Sequence, residues 1–327
     1  MNWVSYKNGN YIVKINLDTG TKLRVIKGDK PIADTVESMD LKITNMCDMG
    51  CSMCHENSLP DGKHADLFAP SFLDTLHAYT ELASGGGNPL AHPDLYKFLC
   101  FCKQHKFIPS MTVNQKHFIQ QFDFLKQLRD EGLVYGLGVS LTNITDEFIA
   151  KCKDYGPNLV IHVINGLIKV SDLEKLAHKD LKILILGYKV FRRGKKLYEQ
   201  TSDKIEQTKA ELKTSLPNIL EQQWFKVVSF DNLALKQLDV KALLSEVDWN
   251  NFYMGDDGLD GEQTSATMFV DLVERKFAKN SCSSERFDLL STAEEMYNYL
   301  REESVLAQKC ANFVPVKATE TTVTIRS

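Results

Sequence analysis

The sequence predicts an α/β fold in which a partial (β/α)6, TIM-like barrel carries an N-terminal β-hairpin and a small α+β C-terminal extension. Between residues 38 and 230, short apolar runs rich in β-branched residues alternate with longer amphipathic stretches. This alternation is typical of repeated βα units, whose crossover helices force neighbouring strands to be parallel. Parallel sheets need cover on both faces, which favours a closed or open barrel with its chemistry at the carboxyl ends of the strands.

The N-terminal extension, residues 1–37, follows a different pattern. Tyr11–Leu17 largely alternates apolar and polar residues, meets turn residues at Asp18–Gly20, and is followed by a second such run at Lys22–Ile26. These two runs predict the arms of a β-hairpin.

The barrel is expected to span residues 38–230 and to contain about six βα repeats. Each predicted helix lies between two predicted strands, as the βα pattern requires. The predicted strands are Met39–Thr44, Glu81–Ser84, Ser110–Asn114, Gly136–Leu141, Leu159–Ile164, Leu181–Leu186 and Phe225–Phe230. The predicted helices are Ser71–Tyr79, Pro93–His105, Lys116–Glu131, Thr145–Tyr155, Ser171–His178 and Glu199–Ser215.

The C-terminal extension, residues 231–327, is expected to cover the barrel. Tyr253–Gly261 is rich in glycine and aspartate, which predicts a loop. Thr267–Leu272 and Lys276–Lys279 predict a hairpin, and Thr292–Arg301 predicts a helix.

Composition and charge limit the function classes. The 327 residues are 43% hydrophobic and 25% charged, which is ordinary for a globular chain. A net charge of -4 gives no global attraction for nucleic acid, so binding would need the dense basic run at Lys189–Lys196. The sequence has neither a run of 18 apolar residues nor the apolar core of a secretory signal. We therefore expect a cytoplasmic protein without a membrane partner.

Three of the eight cysteines lie in one short window directly after the first predicted barrel strand. Cys47, Cys51 and Cys54 form a C-x3-C-x2-C pattern, which puts three thiolates on one loop able to hold a cubic iron-sulfur cluster. Three local ligands leave one iron open, as a catalytic metal requires. One alternative is a zinc site completed by His55, in which case the chain would be a non-catalytic binding protein. The other alternative is an iron-sulfur protein that only carries electrons.

The C-x3-C-x2-C window after the first strand of an α/β chain resembles the defining motif of the radical S-adenosylmethionine superfamily. The resemblance implies a [4Fe-4S] cluster whose open iron binds the amino and carboxylate groups of S-adenosyl-L-methionine. It also implies reductive cleavage of that cofactor to a 5'-deoxyadenosyl radical, which abstracts hydrogen. It places Met53 against the adenine and implies a flavodoxin- or ferredoxin-type electron donor.

A glycine-rich segment follows the second predicted strand. Gly85, Gly86, Gly87 and Asn88 are similar to the superfamily loop whose backbone contacts the amino group of the cofactor. Glycines remove side chains where a ligand must approach the backbone. The common form has a glutamate where this chain has Asn88, and a neutral amide accepts a hydrogen bond from an ammonium less strongly. Taken alone, three glycines would indicate only a turn.

The residues that follow the later predicted strands resemble the superfamily's cofactor contacts less closely. The resemblance implies a ribose contact from Ser140 or Asn143 after the fourth strand and an adenine contact from Ile164 and Asn165 after the fifth. A strand-end cap and an ordinary turn are the respective alternatives. Arg192 and Arg193, after the sixth strand, are candidates to bind the cofactor carboxylate or a substrate anion, because guanidinium binds carboxylates bidentately.

The role of the two cysteines in the C-terminal extension and the class of substrate are less closely defined by the sequence. Cys282 and Cys310 are too few for a second cubic cluster, so we predict one cluster. The N-terminal hairpin favours a peptide or protein substrate, which an edge strand would capture by β-augmentation. Nucleoside or nucleic-acid modification through the loop at Arg192 and Arg193 is the alternative.

Overall fold

A small antiparallel sheet forms the N-terminus of the computed structural model, which describes residues 2–28, 31–252 and 266–301. Its strands are β1 (Trp3–Asn8), β2 (Tyr11–Asn16) and β3 (Lys22–Ile26), in that spatial order. The predicted hairpin is therefore β2 and β3, and β1 adds a third strand that the sequence did not predict. The alternation of apolar and polar residues did not predict β1, because one of its two buried side chains is the polar Asn8.

A ten-stranded sheet forms the body of the protein. Strands β4 to β10 lie side by side in chain order and every adjacent pair is parallel. A large parallel sheet in a mixed α/β protein confirms the general fold class. The strands are β4 (Ser38–Thr44), β5 (Glu81–Gly86), β6 (Ile108–Asn114), β7 (Gly136–Ser140), β8 (Leu159–Ile164), β9 (Lys182–Leu186) and β10 (Val227–Phe230).

Helices connect these strands and cover one face of the sheet. They are α1 (Leu95–Gln104), α2 (Gln115–Gln120), α3 (Phe122–Asp130), α4 (Asp146–Tyr155), α5 (Val170–Leu176), α6 (Arg193–Glu221), α7 (Asn232–Leu238) and α8 (Glu246–Phe252).

Three helix predictions need correction. The helix expected at Glu199–Ser215 is longer and spans Arg193–Glu221, with non-helical backbone at Thr201. The helix expected at Ser71–Tyr79 is only a 3-10 turn at Ser71–Thr75. The backbone leaves the helical region at Leu76, and the hydroxyl of Thr75 accepts a hydrogen bond from the amide of Ala293, so a tertiary contact overrides the local pattern. The helix expected at Lys116–Glu131 is interrupted at Gln121, whose backbone is non-helical, and becomes α2 and α3.

The C-terminal extension continues the same sheet. Strand β11 (Thr267–Asp271) pairs in parallel with β4, and β12 (Lys276–Ala278) and β13 (Phe287–Asp288) follow in antiparallel order. The predicted hairpin is thus β11 and β12, and residues 293–301 form the predicted last helix. The loop expected at Tyr253–Gly261 lies outside the described residues.

The apolar core lies between the sheet and its helices. Alternate residues of each strand, such as Met39, Leu41 and Ile43 on β4, are fully buried there. The intervening residues, such as Asp40 and His162, are on the other face, which we call the open face. On this face Asp40 is exposed and His162 is half-buried, whereas Lys42 and Thr44 are buried. Within the described residues, no helix is long and apolar enough to cross a membrane.

A buried carboxylate ties the N-terminal sheet to the body. Glu37 has a fully buried side chain and accepts hydrogen bonds from the hydroxyl of Tyr11 and the guanidinium of Arg24, with Lys22 3.3 Å away. Burial alone would raise the pKa of Glu37, but these donors and charges outweigh it and lower the pKa. Ionised Glu37 therefore joins β2 and β3 to the start of β4.

Candidate functional site

The three clustered cysteines lie on the loop that leaves the carboxyl end of β4. The amide of Cys47 donates to the carbonyl of Leu59 at 2.9 Å, and the amide of Cys54 donates to the carbonyl of Cys51 at 3.2 Å. Gly50 turns the loop with a φ of +60°. All three cysteines are half-buried free thiols. The loop is thus fixed at its backbone while the thiol groups stay unpaired.

The thiols are close enough to affect one another. Burial raises the pKa of Cys47 and of Cys51, and the charge of Cys54 raises both further. The nearby Arg193 opposes this rise at both cysteines. Three soft donors beside one cation fit a cluster that binds thiolates. Within the described part of the chain, no three His, Cys, Asp or Glu side chains are arranged to hold a metal ion.

The glycine segment packs directly against this loop. Gly87 donates its amide to the carbonyl of Thr44 at 2.7 Å, and a Cβ on Gly87 would lie 2.2 Å from the carbonyl oxygen of Met46. Gly86 has a φ of +99°, and a Cβ there would lie 2.5 Å from the carbonyl oxygen of Thr44. Gly85, by contrast, has open space where a side chain would be. Only Gly85 therefore leaves room for a ligand beside the backbone.

Asn88 is held by the fold in two ways. Its amide donates to the carbonyl of Met46 at 2.7 Å, and its side-chain oxygen accepts from the amide of Leu90 at 3.2 Å as the cap of a short 3-10 turn. A carbonyl-type oxygen has a second lone pair, so this cap leaves one acceptor site for an ammonium group.

The two arginines after the sixth strand bind the chain that follows the cysteine loop. Arg192 donates to the carbonyl of Glu56 at 2.7 Å, and Arg193 donates to the carbonyl of Ser58 at 2.8 Å. Arg192 has a left-handed φ of +46°, which is unusual for a residue with a side chain. Gly194 completes the contact, because a Cβ there would lie 3.3 Å from the carbonyl oxygen of Met53. The arginines thus position the loop, and each keeps further N–H groups for an anion.

The ribose candidates lie at the end of β7. Ser140 is half-buried, whereas Asn143 is exposed on the following loop. The backbone of Asn143 is bound at both its amide and its carbonyl by the buried side chain of Gln115, which sequence reasoning did not identify. Gln115 therefore sets the position of the loop that carries both candidates.

The adenine candidates lie at the end of β8. Ile164 is half-buried, and Asn165 is fully buried with its side-chain amide donating to Gln237 at 3.1 Å. Gln237 in turn accepts from the amide of Tyr188 and donates to its carbonyl. The side-chain oxygen of Asn165 has no hydrogen-bond partner in the structure. Asn165 thus links β8, β9 and α7 beneath the edge of the sheet.

A buried charge cluster beside the cysteine loop was missed from the sequence. Lys42 on β4 lies 3.1 Å from the carboxylate of Glu56 and 3.0 Å from that of Asp271, and all three side chains are almost completely buried. Burial would raise the pKa of Glu56, but a hydrogen bond from His55 and the charge of Lys42 lower it to about 2. The cluster joins the cysteine loop to β11. Lys42 occupies an ordinary polar position in the alternating pattern of β4, so the sequence gives no signal that it is buried.

The open face also carries polar groups. His162 on β8 lies over Gly138 of β7, where a Cβ would be 2.3 Å from the imidazole ring and 2.9 Å from the hydroxyl of Thr112. Burial lowers the pKa of His162 to about 4, so the ring is neutral. Asp40 on β4 has an exposed side chain, although protein atoms surround it closely. Burial raises the pKa of Asp40, and the positive charge of Lys189 opposes this rise.

Small residues separate Asp40 from His162 on this face. They are Ala83, Gly85, Ser110, Gly136 and Gly138, which occupy matching register positions on β5, β6 and β7. Gly85 has open space where a side chain would be, whereas His162 and Thr112 fill the space over Gly138.

The comparisons with known sequences find one curated relative. No protein-family model matches the sequence. The 7,8-dihydro-6-hydroxymethylpterin dimethyltransferase of Methanocaldococcus jannaschii is 22% identical over 160 residues, which make up 41% of this chain and 31% of the relative. The chain therefore matches less than a third of that relative's length.

The comparison of structures finds SuiB of Streptococcus suis. SuiB bound to its precursor peptide SuiA aligns with a TM-score of 0.53 and 12% identity, over 83% of this chain and 65% of SuiB. SuiB bound to S-adenosylmethionine aligns with a TM-score of 0.51 and 11% identity, over 79% of this chain and 64% of SuiB. The two proteins share a fold. In this chain the cysteine window follows β4 and the glycine segment follows β5 of the shared fold.

Proposed function

We propose that the chain cleaves S-adenosyl-L-methionine reductively and abstracts hydrogen from a peptide or protein substrate. Cys47, Cys51 and Cys54 would bind three irons of a [4Fe-4S] cluster. When bound, the reduced cluster would supply one electron to the sulfonium of S-adenosyl-L-methionine, and cleavage of the C–S bond would give methionine and the 5'-deoxyadenosyl radical. The observation that best supports this proposal is that three free, half-buried thiols lie on one loop at the carboxyl edge of a parallel sheet. Backbone hydrogen bonds hold this loop in place.

The proposed cofactor position follows the carboxyl edge of the sheet. The open side of Gly85 and the free acceptor site of Asn88 would receive the amino group. Ser140 and Asn143 would face the ribose, Met53, Ile164 and Asn165 the adenine, and the remaining N–H groups of Arg192 and Arg193 the carboxylate. In this proposal β4 to β10 form the partial (β/α)6 barrel over residues 38–230, between extensions at 1–37 and 231–327.

The substrate is proposed to reach the open face. Asp40 is exposed there, Gly85 has open space beside its backbone, and neutral His162 can both donate and accept a hydrogen bond. SuiB, whose fold this chain shares, was crystallised with its precursor peptide, which supports a peptide substrate. Nucleoside or nucleic-acid modification through the further N–H groups of Arg192 and Arg193 is the alternative, and the net charge of -4 gives it no global attraction.

Anaerobic reconstitution tests the proposal. The purified chain, given iron and sulfide, is expected to turn brown, to bind about four irons per chain, and to form 5'-deoxyadenosine from S-adenosylmethionine after reduction with dithionite. Replacement of Cys47, Cys51 or Cys54 by serine is expected to abolish both the colour and the product.

The matched control is Cys100→Ser, because Cys100 is a free thiol on α1, outside the cysteine loop. It is expected to keep the iron content and the product. Bound zinc without colour would instead identify a zinc protein. A cluster that exchanges electrons but leaves S-adenosylmethionine intact would identify an electron carrier.

A further inference from the structure

A basic cavity lies at the amino edge of the parallel sheet, opposite the edge that carries the cysteine loop. It has a volume of about 530 Å³ and lies where β8 and β9 begin, at Leu159 and Lys182. Small-molecule sites have volumes of roughly 300 to 1,000 Å³, so one such ligand would fit. We call this space the amino-edge cavity. Its charged or titratable lining residues are Lys153, Lys179, Lys182, Lys226, His178 and Asp180.

The lining of the amino-edge cavity has more positive than negative charge. Four lysines line it, together with the single carboxylate of Asp180. Lys226 lies 3.4 Å from Asp180, but the two side chains are 52% and 77% exposed, so this ion pair compensates little charge.

The other three lysines have no carboxylate partner among the described residues. Lys182 donates to the carbonyl of Thr19 at 3.2 Å, and Lys179 donates to the carbonyl of Lys175 at 2.7 Å. The ammonium group of Lys153 makes neither a hydrogen bond nor an ion pair within the described part of the chain. A carbonyl group accepts a hydrogen bond without neutralising the charge of its donor, so the cavity keeps an excess of positive charge.

Two of the lysines are close enough to repel each other. Burial lowers the pKa of Lys182, and the positive charge of Lys226 lowers it further, whereas the charge of Asp180 opposes this change. An anion between the two ammonium groups would remove this repulsion.

The backbone around the cavity is held in place. Lys179 lies between His178 and Asp180, whose φ angles of +55° and +59° are in the left-handed region that residues with side chains rarely adopt. The amide of Lys226 donates to the carbonyl of Leu181 at 2.9 Å. The strand ends and the turn therefore hold the lysines around the cavity before any ligand binds.

We infer that the amino-edge cavity is a binding site for a small molecule that carries a phosphate or diphosphate group. Lysine binds phosphate as a compact point charge, so several lysines can surround one such group. Among the described residues, no arginine lines the cavity, so it offers no planar fork for a carboxylate. Because the cavity and the cysteine loop are at opposite edges of the sheet, this ligand would differ from the substrate of the proposed reaction.

Calorimetry of the purified full chain with pyrophosphate tests the inference. The wild type is expected to bind pyrophosphate, with an affinity that falls as salt is added. Lys153→Gln/Lys182→Gln removes two of the four cations and is expected to weaken binding about tenfold. Lys153→Arg/Lys182→Arg keeps both charges and is expected to bind within about threefold of the wild type. Urea denaturation shows whether each variant is folded.

The matched control is Lys204→Gln/Lys236→Gln, which makes the same charge change at exposed positions on α6 and α7. It is expected to bind pyrophosphate as the wild type does. Equal weakening in the two glutamine double variants would show an effect of net charge alone and would overturn the inference.

Three further titrations of the wild type identify the ligand class. Tighter binding of ADP than of pyrophosphate would support an organic diphosphate, and the reverse would support an inorganic one. Binding of an RNA oligonucleotide or of polyglutamate, without binding of pyrophosphate, would identify a macromolecular partner and overturn the inference. So would the absence of any binding.

Discussion

Gly87 lies so close to Met46 that a Cβ would be 2.2 Å from the Met46 carbonyl oxygen. The same carbonyl oxygen accepts a hydrogen bond from the amide of Asn88, and Met46 immediately precedes Cys47. We therefore expect Gly87→Ala to push the two loops apart, to destabilise the fold by about 2 to 3 kcal/mol, and to lower the iron content after reconstitution. Chemical denaturation and iron analysis measure the two effects.

Gly85→Ala is the matched comparison. No atom lies within 4 Å of the position that its Cβ would take, so the fold and the iron content are expected to be those of the wild type. If S-adenosylmethionine lies against this backbone, the added methyl group weakens its binding, which calorimetry on the reconstituted enzyme measures. Equal stability losses for the two alanine variants would refute the packing argument.

Lys42 is expected to be essential for stability because it neutralises two buried carboxylates. Lys42→Met leaves Glu56 and Asp271 without their shared cation, and removal of one partner from a buried ion pair typically costs about 3 to 5 kcal/mol. Arg286, 3.2 Å from Asp271, remains and compensates part of this loss. Urea denaturation measures the change, and the exposed Lys196→Met, with an expected change below about 0.5 kcal/mol, is the control. An equally small effect at Lys42 would contradict the prediction.

The parallel sheet was predictable from the sequence because its signal is local. Strands buried on the helix-covered face repeat β-branched residues, as at Leu159–Ile164, whose predicted bounds match β8 without change. The position of the cysteine loop after β4 follows from the same pattern. Local periodicity therefore defines both the strand order and the place of the proposed chemistry.

The contacts that fix the site were not predictable, because they join residues far apart in the chain. Lys42 meets Asp271 across 229 positions (271 − 42), and only the parallel pairing of β11 with β4 brings them together. Gln115 binds the loop at Asn143 in the same manner. The arginines were predicted from their chemistry alone, which did not reveal that they also donate to Glu56 and Ser58.

His162 is expected to give the stability of the protein a distinct pH dependence. Its pKa is about 4 in the folded protein, lowered by burial from an ordinary value of 6.5. Between these two pH values the unfolded state binds more protons, so stability is full above pH 6.5 and falls as pH decreases toward 4. The loss reaches up to about 3 kcal/mol.

Denaturation of wild type and His162→Asn at several pH values tests this dependence. The variant is expected to lose less stability than the wild type between pH 6.5 and 4. The exposed His105→Asn is the control and is expected to follow the wild type. A parallel pH dependence of wild type and His162→Asn would contradict the assignment of a buried neutral imidazole.

Arg193 is expected to tune the proposed cluster through its charge. Its positive charge acts on both Cys47 and Cys51, and a nearby cation stabilises the reduced, more negative form of a cluster. Arg193→Gln is therefore expected to lower the reduction potential, by an energy on the order of 1 kcal/mol, in a redox titration followed by electron paramagnetic resonance. Arg193→Lys keeps the charge and is expected to keep the potential near that of the wild type, although it loses the planar donor to Ser58. Equal shifts in the two variants would show that the hydrogen bond to Ser58, and not the charge, is what the cluster requires.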